Sequence, residues 1–308
     1  NDTNPGTQSL PWKTLGYAAT NATSGITIQL MPGIYDVSTN SVRLAHGVNL
    51  RGPATILSSA DLQFNGVALN PGSKSIVEDL VIQCDTNTIY TKFLATTHSG
   101  FYGGFGVSLY NPSANNQSFT NAIARNVQIK DAMTDGFYFW SETGKPCSLT
   151  AVDSHSVAFS DSIAGEYNNA ACQHTNTSVT LVNCRLDAQY NALLDDITFG
   201  SGSVAQFTRG RFYLINCYGT GVGLANGANG QISATDGATV EVAGGRYSSD
   251  TTMFFNAGST LSGYAIVNGT NTVITSFVGN GNLLTAIRPN IGSNSVAVSG
   301  NISIYLTN

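Results

Sequence analysis

Ser178-Val-Thr-Leu-Val-Asn-Cys-Arg-Leu186 and Phe212-Tyr-Leu-Ile-Asn-Cys-Tyr218 share one frame: apolar, polar, apolar, apolar, Asn, Cys. Val240-Glu-Val-Ala-Gly-Gly-Arg-Tyr247 falls into it, as do Ile76-Val-Glu-Asp-Leu-Val-Ile82, Ile123-Ala-Arg-Asn-Val-Gln-Ile129 and Leu149-Thr-Ala-Val-Asp-Ser-His155. Gly47-Val-Asn-Leu-Arg-Gly52 is a weaker copy. The polar position recurs at Asn49, Asp79, Asn126, Asp153, Asn183, Asn216 and Gly244, with separations of 30, 47, 27, 30, 33 and 28 residues. Units of that length are too short for a domain and too long for a hairpin. They suit the turns of a solenoid, each burying its apolar face only when the next turn stacks on it.

Asn, Asp and Gly are the residues that tolerate a left-handed backbone, which makes this position a corner, and stacked Asn side chains can bond up the column. After the corner, Leu80, Val127, Cys184 and Cys217 are expected to point inward, with Ile82, Ile129 and Leu186 two residues on, by the period-two rule for strands. Ser154 and Gly245 interrupt that column. A second apolar run follows most corners (Phe137-Tyr-Phe-Trp140, Ala192-Leu-Leu194, Met253-Phe-Phe255) and reads as a second sheet of the same coil. The long interval implies an insertion around 85–121.

The expected fold class is therefore all-β: a right-handed parallel β-helix with a short N-terminal helical cap and C-terminal closing strands, in one domain. Residues 1–25 form the cap, with Thr14 to Ala22 weakly helical. Residues 26–290 form the coil, and 291–308 supply the closing strands that cover the exposed sheet edge.

Charged residues are only 10% of the chain, and 13 basic against 18 acidic side chains give a net charge of −5. No Lys/Arg cluster is present to neutralise a run of phosphates, so nucleic acid is an unexpected partner. A neutral glycan fits the charge balance better than a strongly anionic one. No apolar stretch reaches the roughly 18 residues of a membrane span. Six Asn-x-Ser/Thr sequons occur, about the number this composition supplies by chance, and carry no weight. Five cysteines show neither a CxxC nor a metal-finger spacing.

Asn4-Pro-Gly-Thr7, Pro11-Trp-Lys-Thr14 and Ile26-Thr-Ile-Gln-Leu-Met-Pro-Gly-Ile-Tyr35, followed by Gly47-Val-Asn-Leu-Arg-Gly52, resemble the opening of pectin-lyase-like right-handed β-helix proteins. That superfamily includes secreted polysaccharide lyases and bacteriophage tail-spike or tail-fibre proteins. The resemblance implies an extracellular or virion-surface protein whose partner is a polysaccharide or cell-surface glycan, and a homotrimer if it is spike-like. It implies no required cofactor, with Ca2+ admitted. The superfamily's catalytic signatures (Arg-x-Pro-x-x-Arg, Gly-His-Gly, Asp-Pro-His) are missing. A structural or receptor-binding role therefore leads, with a polysaccharide lyase or glycoside hydrolase as the alternative.

Glycoside hydrolysis needs two carboxyl groups. Asp195-Asp196 is the nearest pair by sequence, and a solvated turn after Leu194 is its plain alternative. Asp131 and Asp135 flank a turn and make either a carboxylate or calcium pair or nothing more than that turn.

The repeat frame gives a sharper candidate. Two residues past each corner, Val81, Gln128, His155, Arg185, Tyr218 and Arg246 are expected to form one outward row, followed by Gln83, Lys130, Asp187 and Thr220. Such a polar, aromatic ladder suits an extended sugar chain, and His155 with Arg185 and Lys130 also suits a lyase base with charge neutralisation. The competing reading is the wet face every solenoid must have. Tyr138 and Trp140 form either a sugar platform or core. Cys184 and Cys217 read as stacked core thiols, and Cys147 with Cys172 as the better disulfide guess.

Overall fold

The computed structural model describes residues 1–37, 42–58, 66–85, 103–109, 118–132, 136–139, 146–158, 163–165, 177–188, 205–208, 210–220, 232–235, 239–248, 253–255, 259–267, 270–279, 283–284 and 303–304. It is built mostly of β-strands in parallel ladders, with one short helix.

The N-terminal segment is tied down by side chains before any sheet forms. Asp2 Oδ1 accepts from the backbone N–H groups of Lys13 (2.9 Å) and Thr14 (2.8 Å), and Oδ2 accepts from Thr14 Oγ1 (2.8 Å). Thr14 in turn caps helix α1 (Leu15–Asn21), which buries Leu15, Ala18 and Ala19. The Trp12 indole donates to Asn4 O at 2.8 Å and lies over Gly6, where a side chain would strike the ring.

Each turn of the chain then adds one strand to each of three ladders. The first leg runs through β1 (Thr27–Gln29), β4 (Asn49–Ser58), β6 (Ile76–Cys84), β8 (Phe119–Ala132), β10 (Cys147–Val152), β13 (Thr177–Val182), β16 (Arg211–Ile215), β19 (Thr239–Ser248) and β21 (Ser259–Val267). The second leg, past the corner, runs through β2 (Ile34–Asp36), the distal halves of β4, β6 and β8, then β11 (His155–Ala158), β14 (Arg185–Ala188), β17 (Tyr218–Thr220) and the distal half of β19. Because β8 and β19 pass straight through the corner, the pairing path β8-β10-β13-β16-β19-β17-β14-β11 returns to β8. The second sheet stacks β3 (Val42–Arg43), β5 (Gly66–Asn70), β7 (Gly103–Leu109), β9 (Phe137–Phe139), β12 (Ile163–Gly165), β15 (Ala205–Thr208), β18 (Ile232–Thr235) and β20 (Met253–Phe255). Beyond these, β22 (Thr270–Gly279) pairs antiparallel with β21, β23 (Leu283–Leu284) with β20, and β24 (Ser303–Ile304) with β22.

The corners are where the sequence frame put them, with one correction. Asp79, Asn126, Asp153, Asn183 and Asn216 all have φ between 48° and 58°, and Gly244 has φ 75°. Side chains bond along the column: Asn126 Nδ2 to Asp79 Oδ1 (2.9 Å), Asn183 Nδ2 to Asp153 Oδ1 (3.2 Å) and Asn216 Nδ2 to Asn183 Oδ1 (3.0 Å). Asn49, however, is not a corner. Its side chain accepts from Ile76 N inside the first leg, and the corner opposite Asp79 is Gly52-Pro53. Only glycine fits at 52, because a Cβ there would overlap the Asp79 carbonyl.

Inside the corner, Leu80, Val127, Ser154, Cys184 and Cys217 are each at most 2% exposed. Ser154 is tolerated because its hydroxyl donates to Val152 O (3.0 Å) and accepts from Val127 N (3.2 Å). Cys184 and Cys217 are free, stacked thiols. Cys147 is buried, with Sγ 4.0 Å from Leu109 O; its suggested partner Cys172 lies outside the described residues. So do Ala192–Leu194, and β15 is the second-sheet strand of that turn.

Candidate functional site

Parallel pairing carries a residue on one coil to its counterpart on the next, about 4.8 Å away. In the second leg, Val81 pairs with Gln128, Gln128 with His155, His155 with Arg185, Arg185 with Tyr218 and Tyr218 with Arg246. The corrected corner extends the row toward the N-terminus, since Ile34 pairs with Thr55 and Thr55 with Val81. Gln128 and Arg246 are exposed, the side chains of Arg185 and His155 are 62% and 36% exposed, and Tyr218 is 47% exposed. Beside Gln128, an open groove of about 330 Å³ is lined by Pro32, Gly33, Pro53, Thr55, Val81 and Asn126 among others.

The next row is not a simple outward continuation. Gln83 pairs with Lys130, which is exposed. Asp187 pairs with Val157 and Thr220 but is only 7% exposed. The expected glycan contact at Asp187 is therefore corrected: its carboxylate folds back onto the neighbouring row. Oδ2 lies 2.9 Å from His155 Nε2 and accepts from Arg185 Nε at 2.6 Å. Burial alone would raise the Asp187 pKa. The His155 hydrogen bond and the charges of Arg185 and His155 outweigh it, and the carboxyl is held below its ordinary value. Oδ1 is buried with no hydrogen-bond partner among the described residues.

This arrangement fixes the ring of His155. In the neutral ring, Nε2–H donated to the carboxylate leaves the lone pair on Nδ1, and in the charged ring both nitrogens donate. Arg185 keeps its terminal guanidinium nitrogens on the exposed side of a pair anchored through Nε. The cluster can orient a base next to a cation, or hold two hydrogen-bonding side chains rigid for a ligand.

Tyr138 is 3% exposed, which removes it as a surface platform. It lies in register with Ser108, itself fully buried, so this part of the second sheet is covered on both faces. Asp195, Asp196, Trp140 and Asp135 lie outside the described residues. Asp131 accepts from Gln83 Nε2 at 2.8 Å. Among the described residues, no three His, Cys, Asp or Glu side chains gather as a metal set. Sequence reasoning missed Thr55 and the Gly33–Pro53 groove. Setting the corner at Pro53 rather than Asn49 would have found both.

The parallel ladders fit the β-helix fold that the resemblance of its opening to pectin-lyase-like proteins implies. Residues 1–138 match the model of a family described as a protein of unknown function (DUF1565). No curated protein matches the sequence. Among solved structures, the chain is similar to the tailspike protein gp49 of Acinetobacter baumannii bacteriophage Fri1, a capsular polysaccharide depolymerase, at 13% identity over 80% of this chain and 51% of that one, with a TM-score of 0.40. It is also similar to ORF18 of Geobacillus virus E2, at 11% identity over 85% and 59%, with a TM-score of 0.44. The chain thus spans about half the length of these proteins.

Proposed function

We propose that this is a glycan-binding β-helix protein of the virion surface or cell exterior, wound right-handed as parallel crossovers are, which holds an extended polysaccharide along the second-leg row. The observation that carries the reading is the exposed register Gln128-His155-Arg185-Tyr218-Arg246, braced from beneath by Asp187. Lys130 flanks the row. A rigid polar ladder with one aromatic member offers hydrogen bonds and a stacking face at the spacing of successive coils. Calcium is admitted but not required, and homotrimeric assembly belongs to the spike-like form of the reading.

A second reading, polysaccharide cleavage on the same face, is favoured by the Asp187-oriented His155 beside Arg185. There His155 Nδ1 would take the proton next to a sugar carboxyl while Arg185 neutralises the charge that develops, and the double bond would form as the β C–O bond breaks and the leaving oxygen takes a proton from water. Asp195-Asp196 is the carboxyl pair this reading offers for hydrolysis instead.

The test is retention on a panel of immobilised neutral and acidic polysaccharides, with reducing-end release and unsaturated-product absorbance followed in parallel. Retention without turnover is the expected result. Turnover would move the assignment to the enzyme, and neither retention nor turnover on any polysaccharide would sink both readings.

A further inference from the structure

A second column of left-handed corners joins the second sheet back to the first leg: Gly25 (φ 89°), Gly47 (φ 75°), Lys74 (φ 58°) and Asn121 (φ 58°). Backbone bonds stack it, with Gly25 N donating to Gly47 O (2.9 Å), Gly47 N to Ser73 O (2.7 Å) and Lys74 N to Thr120 O (2.8 Å). Two of these coils use glycine, which takes the conformation without strain, and asparagine tolerates it. Lysine has neither excuse. Its side chain cannot bond its own turn as Asn does, and such a residue is uncommon in this region.

What Lys74 gains is its position. It lines an open depression of about 510 Å³ together with Ser24, His46, Ser73, Ser118 and Thr120. Ser73 is spent on the floor, its hydroxyl donating to Ser118 O (2.6 Å) and accepting from Thr120 N (3.0 Å). His46 is steadied by its ring contact with Phe119, at 6.1 Å between centroids. The side-chain polar groups of Ser24, His46, Lys74, Ser118 and Thr120 make no hydrogen bond within the described residues. Among the described residues no carboxylate lines the depression, although the chain carries a net charge of −5. Two basic side chains and three unengaged hydroxyls therefore converge on one concave surface, away from the His155 row.

From this we propose a binding site for a small oxyanion, meaning a sulfate, phosphate or carboxylate, either free or carried as an acidic substituent on a sugar. Lys74 supplies the compact point charge, and the hydroxyls and imidazole supply directed donors. The site is separate from the proposed glycan row, so either can fail without the other.

Lys74→Gly separates function from fold, because it removes the ammonium and at the same time relieves the backbone. Binding is read by titration calorimetry with sodium sulfate, sodium phosphate and sodium glucuronate at matched ionic strength, since sulfate raises melting temperatures non-specifically. We expect saturable one-site binding by the full chain, at least tenfold weaker in Lys74→Gly, while that variant melts at the same or a higher temperature. Ser24→Ala with Thr120→Ala should weaken binding without the stability gain. Preference for the inorganic anions would assign a free oxyanion, and preference for glucuronate a sugar-borne acid. Equal binding by Lys74→Gly and the parent chain, or no saturable binding of any of the three anions, would overturn the proposal.

Discussion

His155 and Asp187 come from neighbouring coils and meet with 2.9 Å between Nε2 and Oδ2, while Arg185 on the same coil as Asp187 reaches the same oxygen at 2.6 Å. One carboxylate thus holds two members of the outward row from below. Its pKa is lowered in the fold despite burial, which would act the other way. A carboxyl depressed on folding contributes stability above its unfolded value, near 4, and loses it as pH falls through the folded value. Asp187→Asn should therefore lower stability by about 1–3 kcal/mol at neutral pH. It should also flatten the loss of melting temperature below about pH 4. Parallel acid profiles for the two proteins would show the brace to be inert.

Arg185 and Tyr218 stand side by side in register on adjacent coils, and both are substantially exposed. Removing both should lower the melting temperature only modestly, since Asp187 keeps His155 but loses Arg185, and should weaken polysaccharide retention roughly tenfold or more, a loss of about 1.4 kcal/mol or greater. Affinity electrophoresis on the best-retained polysaccharide measures it. Unchanged mobility shift would reduce this face to solvent surface.

The outward row was legible because two simple rules compound. A corner every turn sets the register between coils, and the period of two sets which side faces out. Depth was not legible. Spacing places Asp187 one step beyond the row, but only the surrounding atoms show that its short side chain turns back to His155 instead of reaching solvent. The same limit left Tyr138 undecided between platform and core, where four consecutive aromatic residues offer no polar contrast; both Phe137 and Tyr138 are buried. Asn49 misled for a third reason. Its residue type suits a corner, yet the close approach of the Asp79 carbonyl demands a glycine, and that demand falls on Gly52.

Asn183 has φ 53°, donates to Asp153 and accepts from Asn216. Asn183→Ala keeps neither the tolerance for that backbone nor the two side-chain bonds. The left-handed penalty is about 1–2 kcal/mol, and each exposed bond adds about 0.5–1 kcal/mol. Asn183→Gly loses only the bonds and should fall between Ala and the parent in urea midpoint. Equal midpoints for the Ala and Gly variants would show that backbone strain contributes nothing at this corner.

Gly245 sits opposite Cys217, with φ 90°, and a Cβ there would overlap the Cys217 carbonyl. The two coils are stitched by Arg246 N donating to Cys217 O at 3.0 Å. Gly245→Ala must therefore push the coils apart as well as adopt an unfavourable backbone. The expected result is loss of the cooperative melting transition or of soluble protein, not a modest shift. A variant melting within a few degrees of the parent would mean that this corner can relax.

Three of the buried thiols, Cys84, Cys184 and Cys217, supply the last expectation. Burial, with the charge of Asp131, pushes the Cys84 thiol up to about 12, and contact with Cys184 together with burial raises Cys217 as well. A thiol raised on folding contributes stability that is complete below its unfolded value, near 8.5, and declines as pH rises toward the folded one. Folded protein should therefore resist iodoacetamide at about pH 8: the reactive thiolate is scarce at Cys84 and Cys217, and Cys184, whose thiol pKa is lowered by its hydrogen bond with Cys217, is fully buried and out of reach. Cys84, Cys184 and Cys217 should all be alkylated once denaturant is added, as peptide mass mapping would resolve. Stability should also begin to fall above about pH 8.5, on the basis of the same shift. Rapid native-state labelling of Cys184 or Cys217 would mean that the coils open at that corner, and that the row carrying Arg185 and Tyr218 is less rigid than glycan recognition along it requires.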